Sequence, residues 1–221
     1  MGAHTVHYFG YGSLVNRATR PAGEAAAAAR LNGWRRTWNH RVPPSEARYG
    51  CTAVSIDPAP DAEGPGIDGV VVEIPLEALA ALDAREANYD RLALPRERFS
   101  LPDSVTAETV FVYRSSEARR ADADDAHPVL QSYVDCIMAG YLERFGPAGL
   151  DAWLASTDGW ETPIEDDRTD PRYPRAVRLP DETLARFDAL LEAHLGRPAA
   201  LPRTDPAFPA SAAGPSGRRP R

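Results

Sequence analysis

The spacing of apolar residues along this chain changes period several times, and each change marks an element. Residues 5–11 mix β-branched and aromatic side chains and run into Gly10 and Gly12, a short strand entering a tight loop. Residues 31–40 set Leu31, Trp34 and Trp38 among arginines, and residues 51–56 and 69–74 are β-branched runs, so all three read as sheet. Between the last two, residues 57–66 are dense in Pro, Gly and Asp, the composition of a hairpin or a longer surface connection. Residues 75–89 then place Leu76, Leu79, Leu82 and Tyr89 at helical spacing, with Pro75 suited to the start and Glu77 in the first turn. Two more strands follow at 96–101 and 108–113, the second alternating Thr109, Phe111 and Tyr113 against Val110 and Val112.

The period then turns helical for good. Val129, Leu130, Tyr133, Ile137, Tyr141, Leu142 and Phe145 predict a long helix over 128–144, with Gly146 and Pro147 as stop signals. A short helix is expected at 150–154, and a well-marked one at 181–195, with Asp181 as cap and Gly196 just past the end. Strands first, with helices inserted and then concentrated late, predict an α+β fold in which a mixed sheet curls into a small barrel with flanking helices. Residues 1–197 are expected to form that domain. Residues 198–221, rich in Pro, Ala and Arg, are expected to be a disordered tail, too poor in apolar groups to offset their ordering entropy.

Composition narrows the partners. A chain of 221 residues can bury a full core without staples, and a net charge of -7 offers no basic footprint for nucleic acid. All 25 basic residues are arginine, from which nothing functional follows. Cys51 and Cys136 lie far apart without a CxxC pattern and read as two buried thiols. With no run of about 18 apolar residues and no leader pattern, no membrane partner is expected and a cytoplasmic protein fits. Asp122, Asp124 and Asp125 near His127 impose no ligand geometry and read as a solvated loop; no metal is expected.

Two constellations carry chemistry. In the first, Gly10, Tyr11, Gly12, Ser13 and Leu14 follow a strand, where two glycines let backbone N–H groups converge on an anion; a plain turn using glycine's backbone freedom is the other reading. A dinucleotide fingerprint would need a third glycine where Val15 stands and a helix that Pro21 interrupts, and a serine elbow would need glycine at Val15. The second constellation is Asp83, Ala84, Arg85, Glu86, Ala87, Asn88 and Tyr89 at the end of the predicted helix. On local sequence Glu86 could equally be a surface residue paired with Arg85 or Arg91.

Together, a Tyr, Gly, Ser, Leu loop after the first strand and an Arg, Glu, two residues and Tyr some seventy positions on resemble the γ-glutamylcyclotransferase superfamily. The resemblance covers most of residues 6–178, including Gly33, Trp34, Arg35 and Arg36, Gly159 and Trp160, and Tyr173, Pro174 and Arg175. It is to the bacterial branch more than to the glutathione-specific one, which often has glycine soon after its glutamate, where Ala87 and Asn88 stand here. It implies an enzyme that needs no cofactor and takes a small γ-glutamyl substrate, whose α-amine attacks its own γ-carbonyl to release 5-oxoproline and a free amine or amino acid. Glu86 would be catalytic, moving protons; Tyr11, Gly12, Ser13 and Leu14 would bind substrate, with Tyr89 and Tyr113 as pocket walls or hydroxyl donors. A non-catalytic ligand-binding protein on the same fold, or a γ-glutamyl hydrolase or transferase, would share these residues. Residues 159–178, rich in Asp, Arg, Pro and Tyr, could cover the site: Arg168, Arg172 and Arg175 either meet a second carboxylate or staple a loop.

Overall fold

A computed structural model describes residues 4–43, 50–60, 64 and 66–202. Its strands are β1 (Thr5–Gly10), β2 (Ala26–Leu31), β3 (Trp34–Val42), β4 (Cys51–Pro58), β5 (Ile67–Pro75), β6 (Tyr89–Pro95), β7 (Phe99–Ser100), β8 (Thr109–Ser115), β9 (Val129–Leu130), β10 (Thr157–Asp158), β11 (Ile164–Asp166) and β12 (Leu201–Pro202). The helices are α1 (Leu79–Arg85), α2 (Gln131–Ala155) and α3 (Asp181–Leu195).

Two mixed six-stranded sheets result, ordered β6-β8-β1-β5-β2-β7 and β10-β3-β4-β9-β11-β12. They curl toward each other where β8 meets β4: the Ser115 N–H donates to Ser55 Oγ at 2.7 Å, and Asp57 of β4 holds both Arg114 and Arg120 at 2.6 Å. This is the α+β curled sheet that the sequence predicts. α2 fills the concavity with Tyr133, Ile137, Tyr141 and Trp153, all buried, and Trp38 of β3 packs edge-on against Tyr133, Trp153 and Trp160.

Several elements depart from expectation. The helix expected over 75–89 is a 3-10 turn at Leu76–Ala78 followed by α1, which ends at Arg85. The Glu86 N–H closes onto Leu82 O, the Tyr89 N–H onto Glu86 O, and Tyr89 starts β6 paired against β8, so Tyr89 belongs to the sheet. Residues 96–98 form a 3-10 turn, leaving only Phe99–Ser100 as strand. Residues 129–130 pair as β9 before α2 begins, and α2 continues through Gly146, which breaks it with φ 68 before Pro147 restarts the helix. The expected short helix at 150–154 is its second limb. β2, with four successive alanines, carries no strand signal, yet pairs along its whole length with β5.

α3 has the expected bounds, with Gly196 left-handed at its end, although Pro180 rather than Asp181 occupies the cap position. The chain then stays on the body: Ala199 is buried and β12 pairs with β11. The rest of the expected tail, residues 203–221, and much of the 57–66 connection lie outside the described residues. No helix among the described residues is long and apolar enough to cross a membrane.

One buried cation ties these layers to the loop after β1. Arg36 of β3 is fully buried; its Nε donates to Tyr11 O at 2.9 Å and Nη1 to Ser156 Oγ at 2.8 Å, while Nη2 reaches Asp68 O and Tyr141 Oη. Tyr141 in turn donates to Tyr11 O or Asp68 O. Each acceptor would lose a charge-assisted bond in an apolar setting. Arg36→Met is therefore expected to cost about 3 kcal/mol in urea unfolding and to loosen the Tyr11 carbonyl that the loop hangs from.

A tyrosine-lined cleft with a buried glutamate

The loop after β1 is built to come close to its neighbours. Gly12 precedes a 3-10 turn, Ser13–Val15, closed by the Val15 N–H on Gly12 O and the Asn16 N–H on Ser13 O. The N–H groups of Ser13 and Leu14, at the open start of that turn, have no preceding turn whose carbonyls could take them. The backbone of Gly12 has φ -112, so glycine is present for space and not for a left-handed conformation. A Cβ there would fall 2.9 Å from Val54 Cγ1 and 3.2 Å from Tyr133 Oη; one on Gly10 would fall 2.7 Å from Leu14 Cβ. Thr19 Oγ1, donating to Ser13 O at 2.7 Å, anchors the far end.

Glu86 enters from the opposite wall. It caps the C-terminal end of α1, where helix carbonyls already concentrate negative charge. Its side chain is 16 % exposed, and burial pushes its pKa above the ordinary glutamate value, opposed by Arg85 and Arg175. Arg85 Nε donates to Glu86 Oε1 at 3.0 Å and its Nη1 to Thr19 O at 2.6 Å, so one guanidinium connects the glutamate to the loop.

These residues share one narrow cleft, lined by Tyr11, Gly12, Ser13, Leu14, Glu86, Tyr89 and Tyr113 together with Phe9, Val54 and Tyr133. The residues that the resemblance assigns to catalysis and substrate binding, Tyr11, Gly12, Ser13, Leu14, Glu86, Tyr89 and Tyr113, thus all lie on it. The tyrosines are walls more than donors: Tyr11 gives its proton to Tyr113 O at 2.5 Å, Tyr89 to Val54 O at 3.0 Å and Tyr113 to Asp83 Oδ1 at 2.7 Å. Tyr89 is further held by His40, stacked at 3.7 Å. Burial raises the pKa of Tyr89 and Tyr133 well above the phenol value, so both stay protonated.

Tyr133 escaped the sequence reading because its helical spacing marks it only as core. Its hydroxyl lies beside Gly12, 121 positions away, a neighbour that no local pattern records. Of the late arginines, Arg168 is clamped by Asp135 and Asp188 and Arg172 by Glu165, both as loop staples. Asp124 is occupied by Arg41 and His127, and no group of three or more metal-ligating side chains gathers among the described residues.

No family model and no curated protein matches the sequence. Solved structures do match. A γ-glutamyl cyclotransferase aligns with a TM-score of 0.52 at 16% identity, over 84% of this chain and 99% of that one. The uncharacterized protein loc79017 from Homo sapiens aligns with a TM-score of 0.52 at 16% identity, over 83% and 98%. By this likeness, nearly the full length of the compared chains, the protein has the γ-glutamylcyclotransferase-like fold.

Proposed function

We propose that this chain is a γ-glutamylcyclotransferase. The observation that carries the reading is the desolvated Glu86 carboxyl on the same cleft as Ser13 and Leu14, whose N–H groups open the 3-10 turn and could donate to a carboxylate. The fold is compatible with it, and the chemistry follows from the parts.

A γ-glutamyl group bound by its α-carboxylate at the loop is held folded, with its α-amine near its γ-carbonyl. Proximity within one molecule lowers the barrier by about 7 to 11 kcal/mol. Two proton problems remain, because an ammonium cannot attack and an amide nitrogen leaves badly unless protonated. Glu86 answers both: its carboxylate takes the proton from the attacking nitrogen, the C–N bond of the ring forms, and the same proton returns to the leaving nitrogen as the amide bond breaks. Oε1 is oriented by Arg85, which leaves Oε2 without a hydrogen bond among the described residues. The tyrosine and Val54 walls keep the site dry enough to hold the raised pKa.

The test is direct detection of 5-oxoproline, by chromatography and mass, after incubating the purified protein with a panel of γ-glutamyl compounds. Its appearance supports the cyclotransferase. Free glutamate in its place would make the protein a hydrolase, and binding without turnover would make it a carrier.

A further inference from the structure

Away from the cleft, a second groove gathers arginines that nothing neutralises. It runs between the 3-10 turn Arg17–Thr19, the segment that leads from Arg20 into β2, and the face of α2 bearing Gly140, Glu143 and Arg144. Its floor is tightly packed, since a Cβ on Gly140 would fall 2.6 Å from the Asn16 backbone N. Arg17, Arg20 and Arg144 all line the groove, and none forms a contact ion pair among the described residues.

These guanidiniums are poorly satisfied. Arg144 Nη2 donates to Ala26 O at 2.8 Å, and the exposed Arg17 side chain makes no hydrogen bond among the described residues. Arg20 is half-buried, yet its donors make one long bond, from Nη1 to Glu24 O at 3.5 Å, and its Nε is buried without a partner. Burial pushes the Arg20 pKa down; the like charges of Arg144 and Arg17 act in the same direction and Glu24 opposes them. The carboxylates on the groove do not neutralise the cluster. Glu24 accepts the Tyr8 hydroxyl at 3.0 Å, and Glu143 is exposed without an ion pair among the described residues. Crowded cations, one of them partly desolvated, cost free energy in the free protein that a bound anion would offset.

We propose that this groove is a second ligand site, which binds a phosphate group, free or as a monoester, on Arg17, Arg20 and Arg144. A phosphate spreads close to two negative charges over several acceptor oxygens, so it can take N–H groups from more than one guanidinium fork at once. A carboxylate has one charge and would leave most of the cluster unpaired. None of the three arginines lines the cleft with Glu86, so the site stands whether or not that cleft releases 5-oxoproline.

Calorimetric titration of the full chain with inorganic phosphate and with glycerol 3-phosphate, at an ionic strength fixed with sodium chloride, reads the site. One saturable site per chain is expected, with a Kd in the millimolar range or tighter. Arg20→Gln should weaken it about tenfold or more, and Arg17→Gln several-fold with Tm unchanged, because that side chain bonds nothing in the free protein. Glu143→Gln removes a repelling charge and should tighten it. If Arg20→Gln fails to fold, Arg17→Gln and Glu143→Gln decide, since both positions are exposed. Tighter binding of the ester assigns the groove to a phosphorylated metabolite, and tighter binding of inorganic phosphate to the free ion. Absence of saturable binding for both probes, chloride competing as well as phosphate, or an affinity that none of these substitutions moves overturns the proposal.

Discussion

Glu86→Gln is expected to lower kcat for 5-oxoproline release by about a thousandfold while leaving the Kd for a γ-glutamyl ligand within a few-fold. Glutamine preserves the shape and can still take the Arg85 hydrogen bond through its amide oxygen, but it can neither accept nor return a proton. General acid–base catalysis of this kind is worth about 10²–10⁴ in rate. The pH dependence has a definite sign. Burial raises the Glu86 pKa above the ordinary glutamate value, so the wild-type rate should rise as the carboxyl ionises, with a midpoint above that of a free glutamate. Stability moves the other way. Between the unfolded and the raised folded pKa the native state keeps a proton that the unfolded chain has released, so folding stability falls as pH rises through that window. Glu86→Gln removes this term. It should therefore be no less stable than wild type at neutral pH, measured as Tm across a pH series. A variant keeping more than a few per cent of wild-type turnover would take Glu86 out of the mechanism.

How much of this was readable from residue order depends on where the information resides. β4, β5 and β8 are β-branched runs whose burial agrees with their composition, and α3 has both period and stop signal, so local preference and tertiary demand coincide. β2 shows the opposite case. Its alanines favour helix intrinsically, and it is a strand because β5 and β7 offer it a backbone ladder on both edges, which no local property records. Tyr89 lines the cleft from an element other than the one its spacing predicts: the interval from Leu82 fits a helix, but the turn at Glu86 reverses the chain into β6. The loop and the glutamate stand out in the sequence because each carries its candidate chemistry in a few adjacent residues. Tyr133 does not, and Tyr173 and Arg36 enter only through the resemblance, since an aromatic at helical spacing, a tyrosine among prolines and an arginine in a strand look the same whether they end in solvent, core or site. Only the long-range contacts with Gly12, Ser13 and Tyr11 distinguish them.

The same contacts set an order of damage within the loop. Gly12→Val is expected to abolish measurable turnover, a loss of more than about a hundredfold, whereas Ser13→Ala should cost less than tenfold. At Gly12 even a single carbon would fall inside contact distance of Val54 Cγ1 and close to Tyr133 Oη, and valine adds two methyl groups at that point. Val54 and Tyr133 are both buried and packed, so neither can withdraw without opening a gap. The loop must move instead, carrying the Ser13 and Leu14 N–H groups away from the cleft, and a displacement of about 1 Å in a positioning group can cost about a hundredfold in rate. Overpacking of this kind also costs about 1–3 kcal/mol of stability, which a thermal melt should register as a lowered Tm. Ser13 contributes through its main chain: its carbonyl takes the Asn16 N–H and Thr19 Oγ1, and alanine keeps both. Kinetics of the two variants on one γ-glutamyl substrate separate a backbone site from a nucleophile. If Ser13→Ala is the more damaging of the two while its Tm is retained, the Ser13 hydroxyl takes part in bond making and the proton-shuttle assignment of Glu86 has to be revised.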